Sequence, residues 1–355
     1  MRKKTNWFAV VLFAITFISC KQEEPVLKLQ NVVLNNSELT ILQDDSILIS
    51  ANLEPVGVIA TVEWSSSNEK VATVKNGLVK ALARGTTTIK ATADSISSTC
   101  LVIVTHEDLP YQLVWSDEFD GSTLDLTKWQ CELGGSGWGN SEKQYYTDRT
   151  QNIRLENGSL VIEALKESYS SNNYTSARIT TKNKASFKYG KIEARISLPV
   201  GMGTWPAFWT LGSNINTAKW PLCGEIDIME HVGSQPTMIS HAVHTSEKNG
   251  SKGNNWSVRK YFDNLENNYH TYGIEWEQNA SEGDDNISFF IDGVKSTTIW
   301  EQHLNSKASN WPFYDANFLI LNLAIGGTMG GSIDDAIFNN QVMMKVDYVR
   351  VYQRK

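Results

Sequence analysis

Charge blocks, cysteine pairs and helical periodicity, which indicate several large functional classes, are scarce or absent in this sequence. Its 355 residues carry a formal net charge of −7 without any block of like charges, which argues against a nucleic-acid partner and fits a neutral substrate. Only four cysteines are present and no Cys-x-x-Cys pair occurs, so neither a disulfide framework nor a metal site of that spacing is predicted. Helical periodicity is almost absent after residue 110, which leaves β structure as the expectation.

The first twenty residues form a targeting segment. Three basic residues open it, and the apolar run over 7–18, too short for a spanning helix, ends at Ser19-Cys20. The arrangement resembles a bacterial lipoprotein signal, in which Cys20 becomes the lipidated first residue. We therefore predict a signal peptide over 1–19, a tether over 20–26, and a monomer anchored by lipid to the outer membrane of a bacterial envelope, facing the periplasm or the cell surface. The alternative is a plain secretory signal, which would make the protein secreted.

Three further cysteines follow this segment, at Cys100, Cys131 and Cys223. An odd number is a poor basis for a disulfide framework. A bridge between Cys131 and Cys223 and two buried free thiols are both compatible with the sequence.

Residues 27–105 predict an all-β sandwich. Short alternating runs of Val, Ile, Thr and Ser are separated by turn signals such as Asn76-Gly77. Trp64-Ser-Ser-Ser-Asn, Val71-Ala-Thr-Val and Gly85-Thr-Thr-Thr-Ile-Lys-Ala resemble the bacterial Ig-like group 2 domain. Because no acid pair or histidine cluster occurs here, we interpret this domain as a spacer, with glycan binding as the alternative.

A linker is predicted over 106–111, and the composition changes after it. Residues 112–355 contain ten of the 12 tryptophans and many short predicted strands. Such strands favour one large two-sheet sandwich, which often exceeds 200 residues as a single domain. Apolar sugar faces stack on flat aromatic rings, so this density of tryptophan also fits sugar binding.

Carboxylates are concentrated in the stretch 224–233. Glu225, Asp227 and Glu230 alternate with apolar residues, which predicts a strand with one acidic and one buried face. In a regular strand Glu230 would point away from the other two acids. A β-bulge near Ile228-Met229 would return it, and two carboxyl groups about 5–5.5 Å apart would then fit a retaining glycosidase. Ordinary surface acids are the alternative.

Eight motifs follow one another through residues 114–352: Trp115-Ser-Asp-Glu-Phe-Asp-Gly, Gly137-Trp-Gly-Asn-Ser-Glu-Lys-Gln-Tyr-Tyr-Thr, Tyr174-Thr-Ser-Ala-Arg-Ile, Tyr189-Gly-Lys-Ile-Glu-Ala-Arg, Thr204-Trp-Pro-Ala-Phe-Trp, the stretch 224–233, Leu319-Ile-Leu-Asn-Leu-Ala-Ile-Gly-Gly and Val346-Asp-Tyr-Val-Arg-Val-Tyr. In this order they resemble the family 16 glycoside hydrolases, nearest to the laminarinase-like endo-β-1,3-glucanase branch. The resemblance implies a concanavalin A-like β-jelly roll of two curved antiparallel sheets, with the substrate cleft on the concave face.

The resemblance also implies a role for each acid. Glu225 would be the nucleophile, Glu230 the general acid/base and Asp227 the carboxylate between them, in a double displacement without a cofactor. The residues themselves favour the same roles. Three ionised acids on one face repel one another, so the pKa of one of them should rise and that acid should be the proton donor. A metal site of these acids and His244 is a weaker alternative, since no further ligands cluster nearby.

Substrate-binding positions are likewise carried over from the family. Asn140 and Arg178 match polar positions of the cleft, and His244 matches a histidine placed near the acid/base. Trp205 and Trp209, four residues apart on one strand, would share a face and form a stacking wall for glucose rings. Structural roles are the alternative for each of them. Further aromatic candidates are Trp138 and Trp220.

A structural calcium ion is a further implication of the resemblance. Family members often hold one far from the cleft, and Glu118, the Gly158 carbonyl and Asp347 match its oxygen ligands, which suit a hard cation. Plain surface acids are the alternative.

Two segments depart from the family pattern. His244 is followed by Thr-Ser-Glu-Lys-Asn-Gly-Ser-Lys-Gly in place of a Gly-Pro-Gly-Tyr-like segment, and the loop over 277–286 is long and polar. Both would lie near the cleft rim, so mixed-linkage β-1,3-1,4-glucan stays open beside the expected partner, a laminarin-type β-1,3-glucan. Agar or carrageenan fits less well, because no Lys or Arg cluster borders the acids. Outside the enzymes, the rival is a non-catalytic glycan-binding lipoprotein.

Overall fold

The computed structural model describes residues 27–105, 110–278, 285–304 and 311–354. The predicted signal peptide with Cys20, the tether, most of the predicted linker and the middle of the 277–286 loop lie outside these residues. Among the residues described, no helix has the length and apolar character needed to cross a membrane.

The first domain is a small β-sandwich. Its strands are β1 (Asn31–Leu34), β2 (Glu38–Leu42), β3 (Ser46–Leu48), β4 (Ala51–Glu54), β5 (Val62–Ser66), β6 (Ala72–Lys75), β7 (Leu78–Ala81), β8 (Gly85–Ala93) and β9 (Ile96–Thr105). They form sheets of order β2-β9-β8-β5 and β3-β7-β6, and β1 pairs with β4. The predicted Asn76-Gly77 turn joins β6 to β7 with φ of 52° and 79°, as a two-residue hairpin requires. The predicted all-β sandwich is confirmed.

The second domain is also built almost entirely of strands. They are β10 (Tyr111–Asp117), β11 (Gln130–Cys131), β12 (Gln144–Tyr146), β13 (Ile153–Glu156), β14 (Ser159–Tyr169), β15 (Asn172–Ser176), β16 (Arg178–Thr180), β17 (Gly190–Ser197), β18 (Thr204–Gly212), β19 (Glu225–His231), β20 (Met238–His244), β21 (Trp256–Tyr261), β22 (Tyr269–Glu277), β23 (Asn286–Ile291), β24 (Val294–Trp300), β25 (Asn317–Ile325) and β26 (Val342–Arg354). Short helical turns are α1 (Ile215–Ala218), α2 (Gly327–Gly330) and the 3₁₀ turns Gly250–Lys252, Glu301–Leu304 and Asp335–Asn339.

These strands form two large sheets. One has the order β12-β15-β14-β26-β17-β22-β23-β24, with β10 and β13 paired to β26 and β14. The other has the order β11-β16-β25-β18-β19-β20-β21. Alternate residues of both sheets, such as Ile192, Phe208 and Ile226, are buried in one shared core. The predicted two-sheet sandwich is confirmed.

Each sheet has one face in this core and one face turned away from it. We call the outward face of the seven-stranded sheet the open face, and that of the ten-stranded sheet the back face. Trp129, Trp276 and Trp311 are fully buried, so part of the tryptophan content serves the core. All three described cysteines are free thiols, which settles the choice between a bridge and free thiols in favour of the latter.

Candidate active site

The strand β19 carries the three acids on the open face. Its register slips between Asp227 and Glu230 against both neighbouring strands, and on the β18 side Ile228 is the extra residue. Ile228 and Met229 are consecutive, and both belong to the core between the sheets, as expected where two residues of a bulge face the same side. Glu225, Asp227 and Glu230 therefore share the open face, and the predicted bulge is confirmed.

Two tryptophans donate hydrogen bonds to the outer acids of this strand. The Trp220 indole Nε1 lies 2.8 Å from Glu225 Oε2, and the Trp205 Nε1 lies 3.1 Å from Glu230 Oε1. Trp220 is 38% exposed, whereas Trp205 is 9% exposed. Among the described residues, no Lys or Arg forms an ion pair with any of the three acids.

His244 is the basic side chain that lies beside the acids. Its Nε2 lies 3.1 Å from Asp227 Oδ2 and 3.7 Å from Glu225 Oε1. The register explains this, because Glu225 and His244 are directly opposite each other on β19 and β20. The resemblance placed this histidine near Glu230; its short contacts are with Asp227 and Glu225, and its charge also acts on Glu230.

Burial raises the pKa of all three carboxyl groups. The pKa of Glu225 rises to about 8 and that of Glu230 to about 8. Burial is the largest cause in both cases, and the negative charge of Asp227 raises both values further. Burial raises the pKa of Asp227 to about 7, against a hydrogen bond with Glu225 that lowers it. A protonated His244 would lower the pKa of both glutamates through its charge. The cluster therefore retains protons near neutral pH, which suits proton transfer.

The same cluster contains the minimal ligand set of the metal-site alternative. Ligand atoms of Glu225, Asp227 and His244 lie within 4.8 Å of one another, the single such group in the part of the chain that the structure describes. Glu230 is not a member, and its contact is with Trp205. These three residues are compatible with a metal ion, but Glu230, the fourth residue of the metal-site alternative, is not part of the group.

Trp205 and Trp209 share the open face, as predicted, but Trp205 is buried and Trp209 is half-buried. The Arg178 guanidinium lies 4.7 Å from the Trp209 ring and 4.8 Å from the Trp138 ring, and its Nε is 2.5 Å from Glu132 Oε2. Arg178 is thus held between two indoles and a carboxylate. It lies three strands from Glu230 along one row of paired residues, about 14 Å away.

Asn140 lies in a turn near the end of β25. Its carbonyl accepts a hydrogen bond from the Thr328 N–H at 2.8 Å, and its side-chain amide is 3.4 Å from Glu142. Glu142 is 7% exposed, accepts hydrogen bonds from Gln144 and Tyr146, and has a pKa raised by burial. Sequence reasoning missed this buried glutamate, although it lies within the motif that begins at Gly137.

The carboxylates of the predicted calcium set are paired with arginines. Glu118 accepts two hydrogen bonds from Arg350, at 3.0 and 2.7 Å, and Asp347 lies 2.7 Å from Arg195. Carboxylates already neutralised in this way do not fit a calcium ion without rearrangement. The calcium site at Glu118, Gly158 and Asp347 stays a prediction.

Two contacts of the site had weak or absent signals in the sequence. Trp220 precedes Glu225 by five residues and was a further aromatic candidate without an assigned partner; it donates a hydrogen bond to that carboxylate. The Gly250 N–H donates to His244 Nδ1 at 2.9 Å, across a loop whose departure from the family pattern was the only hint.

Two family models match this chain. The model described as Glycosyl hydrolases family 16 matches residues 138–350, and the model described as Bacterial Ig-like domain (group 2) matches residues 29–103.

Several known proteins are similar to the second domain. The beta-glucanase of Rhodothermus marinus is 42% identical over 252 residues, which cover 68% of this chain and 85% of that protein. The crystal structure of a laminarinase from Flavobacterium sp. UMI-01 shares 44% identity with a TM-score of 0.61 and covers 68% of this chain and 100% of the other. SCLam, a non-specific endo-beta-1,3(4)-glucanase from family GH16, shares 36% identity with a TM-score of 0.63, over 70% of this chain and 93% of the other.

Proposed function

The chain belongs to glycosyl hydrolases family 16, and from that premise we propose that it is a retaining endo-β-1,3-glucanase that hydrolyses laminarin-type polysaccharide. The observation that carries the proposal is the set of three acids on one face of the bulged strand β19. They are held by two indoles and an imidazole, without a Lys or Arg ion pair among the described residues. A non-catalytic glycan-binding protein would have no need of such a costly cluster.

In the first step a β-glucan chain lies across the open face. Glu230 in its protonated form gives its proton to the glycosidic oxygen while the Glu225 carboxylate attacks the anomeric carbon. The bond from this carbon to the leaving oxygen breaks as the ester bond to Glu225 forms. The raised pKa of Glu230, about 8, is compatible with the role of the acid. Glu225 has the same raised pKa, so the division of roles between the two glutamates is carried over from the family.

In the second step Glu230 acts as the base. Its carboxylate takes a proton from a water molecule, and the water oxygen attacks the anomeric carbon and releases Glu225. Two inversions give net retention of the β configuration. No step calls for a cofactor.

Asp227 and His244 support the charge of the nucleophile in this proposal. Asp227 is 4% exposed and shares a hydrogen bond with Glu225, so a proton held between them can leave Glu225 ionised for attack. The His244 Nε2 lies near both oxygens and favours their charged forms. Asn140, Arg178, Trp205 and Trp209 keep their proposed place in substrate binding. Because Arg178 covers the Trp209 ring and Trp205 is bonded to Glu230, we propose that these residues define the shape of the substrate-binding surface rather than offer exposed rings for stacking.

Mixed-linkage β-1,3-1,4-glucan is the second candidate substrate. The polar segment after His244 departs from the laminarinase pattern, and SCLam, described as non-specific for 1,3(4) linkages, is 36% identical. Both observations favour some tolerance of β-1,4 linkages. They leave the reaction itself unchanged.

The experiment that tests the function compares three polymers. The mature protein is incubated with laminarin, barley β-glucan and agarose, and the products are sized while the anomeric signal of new reducing ends is followed by NMR. We expect internal cleavage of laminarin with first-formed β anomers, weaker cleavage of barley glucan and none of agarose. Absence of laminarin cleavage, or first-formed α anomers, would contradict the proposal.

The cellular location and the first domain's role are proposals of the same kind. A lipid on Cys20 would hold the enzyme at the outer membrane, with the Ig-like domain over 29–103 as a spacer. Mass spectrometry of the mature N-terminus and detergent partitioning test this, with Cys20→Ser as the matched variant. We expect the wild type in the detergent phase and the variant in the aqueous phase.

A further inference from the structure

The segment that follows His244 is a compact, internally bonded loop. We call residues 245–254 the His244 loop. Its 3₁₀ turn begins at Gly250, whose N–H has no partner within the turn and instead donates to His244 Nδ1 at 2.9 Å. A Cβ at position 250 would lie 3.2 Å from the His244 ring, so the loop backbone is packed directly against the imidazole.

Asn249 holds this loop in shape. The side chain is 1% exposed, and its Nδ2 donates to the carbonyls of Thr245 at 3.0 Å and Ser246 at 3.3 Å. Its Oδ1 accepts from the Ser251 hydroxyl at 2.7 Å and from the Lys252 N–H at 3.1 Å. One buried side chain thus joins both ends of the loop and fixes the direction of the neighbouring Gly250 N–H.

The hydrogen bond from Gly250 determines which ring nitrogen of neutral His244 carries the hydrogen. A ring nitrogen that accepts an N–H must present its lone pair, so the neutral imidazole has its hydrogen on Nε2. This Nε2 lies 3.1 Å from Asp227 Oδ2, a buried oxygen to which no described residue donates a hydrogen bond of good geometry, and 3.7 Å from Glu225 Oε1. The opposite tautomer would set two N–H groups against each other at Nδ1 and a lone pair against the carboxylate at Nε2.

We propose that the His244 loop is a positioning element for the acid cluster. Asn249, through the Gly250 N–H, keeps His244 in the tautomer whose Nε2–H faces Asp227 and Glu225. Asn249 touches neither substrate nor reacting atoms and acts only through the histidine. The kinetic part of this inference rests on the proposed function, whereas the tautomer itself does not.

The tautomer is read directly by NMR. Nitrogen-15 spectra of the full chain, at a pH where the imidazole is neutral, separate protonated from unprotonated ring nitrogens, and His244→Asn identifies the signals of His244 among the six histidines. We expect a protonated Nε2 and an unprotonated Nδ1 in the wild type. In Asn249→Ala we expect the two signals to move toward each other as both tautomers become populated. A wild-type His244 with its proton on Nδ1 would overturn the proposal.

Kinetics on laminarin separate positioning from mere stability. For Asn249→Ala we expect kcat to fall about tenfold, with KM within about twofold of the wild type, because the chemistry is misaligned while the binding surface is kept. Glu247→Ala is the matched control. This side chain of the same loop is exposed, its one ion pair among the described residues is with Lys252 at 3.5 Å, and we expect no change in kcat.

The possible failures are distinguishable. An Asn249→Ala enzyme with the wild-type tautomer and wild-type kcat would overturn the inference. Should this variant not fold, the wild-type spectrum still decides the tautomer. A wild type inactive on laminarin would remove the proposed function, while the spectrum would still test the loop.

Discussion

The carboxylates on the two outward faces of the second domain have different partners. On the back face and at its edge, Glu118 is bound by Arg350, Asp347 by Arg195, and Glu193 lies 2.8 Å from Lys191. On the open face, indole N–H groups donate to Glu225 and Glu230, and among the described residues no Lys or Arg pairs with either glutamate. The pKa values follow, because the hydrogen bonds from Arg350 lower the pKa of Glu118 while burial raises the pKa of both glutamates of β19.

This contrast separates the acids that stabilise the fold from the acids that take part in the reaction. An acid beside an arginine stays ionised at all physiological pH values and cannot exchange protons usefully. An acid that is buried without a cation costs folding free energy, but it can hold or release a proton near neutral pH. A family 16 enzyme needs the second kind on its open face, and the back face contributes the first.

The largest effect should come from removing the open-face carboxyls. We expect Glu225→Gln and Glu230→Gln each to lower kcat on laminarin by about 10³-fold or more, because each removes a group that makes or breaks a bond. Circular dichroism should show an unchanged fold. Glu193→Gln on the back face is the matched control, with kcat expected within about twofold. Near-normal turnover of either β19 variant would contradict the roles we propose.

The next effect is on stability, and its sign is opposite on the two faces. Since folding raises the pKa of Glu225 from 4.5 to about 8, the folded state binds an extra proton between these values and stability falls as pH rises through this window. Glu225→Gln removes that loss. We expect its Tm to exceed that of the wild type at pH 8, by roughly 2–4 °C for each kcal/mol relieved.

Calorimetry at two pH values checks this sign. Below about pH 4 the carboxyl is protonated in both states, so the gain in Tm should vanish there. A variant that is less stable than the wild type at pH 8 would contradict the raised pKa of Glu225.

The acid cluster was largely predictable because its signal is local. Alternation of acids with apolar residues predicted β19, and the odd spacing of Glu230 predicted the bulge that the register now shows. The hairpin at Asp292-Gly293 was predictable for the same reason, since both residues have positive φ in a two-residue turn between β23 and β24.

Contacts made across the fold were not predictable. The ring of Trp209 is covered by Arg178 from a strand two positions away in the sheet, and no spacing in the chain encodes that. The arginine partners of Glu118 and Asp347 lie more than 150 residues from them in the chain, so two acids could be read as calcium ligands when their nearest groups are guanidinium ions. Side-chain direction in an irregular loop likewise hid the contact of Gly250 with His244.

A smaller effect is expected from the back face. Glu118→Gln should lower the free energy of unfolding by about 0.5–1 kcal/mol, because the pair with Arg350 is partly exposed and solvent screens it. Raising the salt concentration should shrink the difference, as it does for surface charge pairs. Denaturant titration measures it at low and high salt. If Glu118→Gln instead stabilised the protein, ionised Glu118 would cost folding free energy as Glu225 does, and the contrast between the two faces would be weaker.

The smallest expected effect concerns a single indole N–H. The hydrogen bond from Trp205 favours the ionised form of Glu230 and lowers its pKa, so Trp205→Phe, which keeps an aromatic ring, should raise that pKa. Glu230 then remains an acid to higher pH, and the alkaline limb of kcat/KM should move upward by a few tenths of a pH unit, on the order of what one neutral hydrogen bond provides. The profile of Glu193→Gln should not move. A downward shift of the alkaline limb in Trp205→Phe would contradict this and mean that the indole stabilises the protonated form of Glu230. The raised pKa of Glu230 would then depend on this indole as well as on burial.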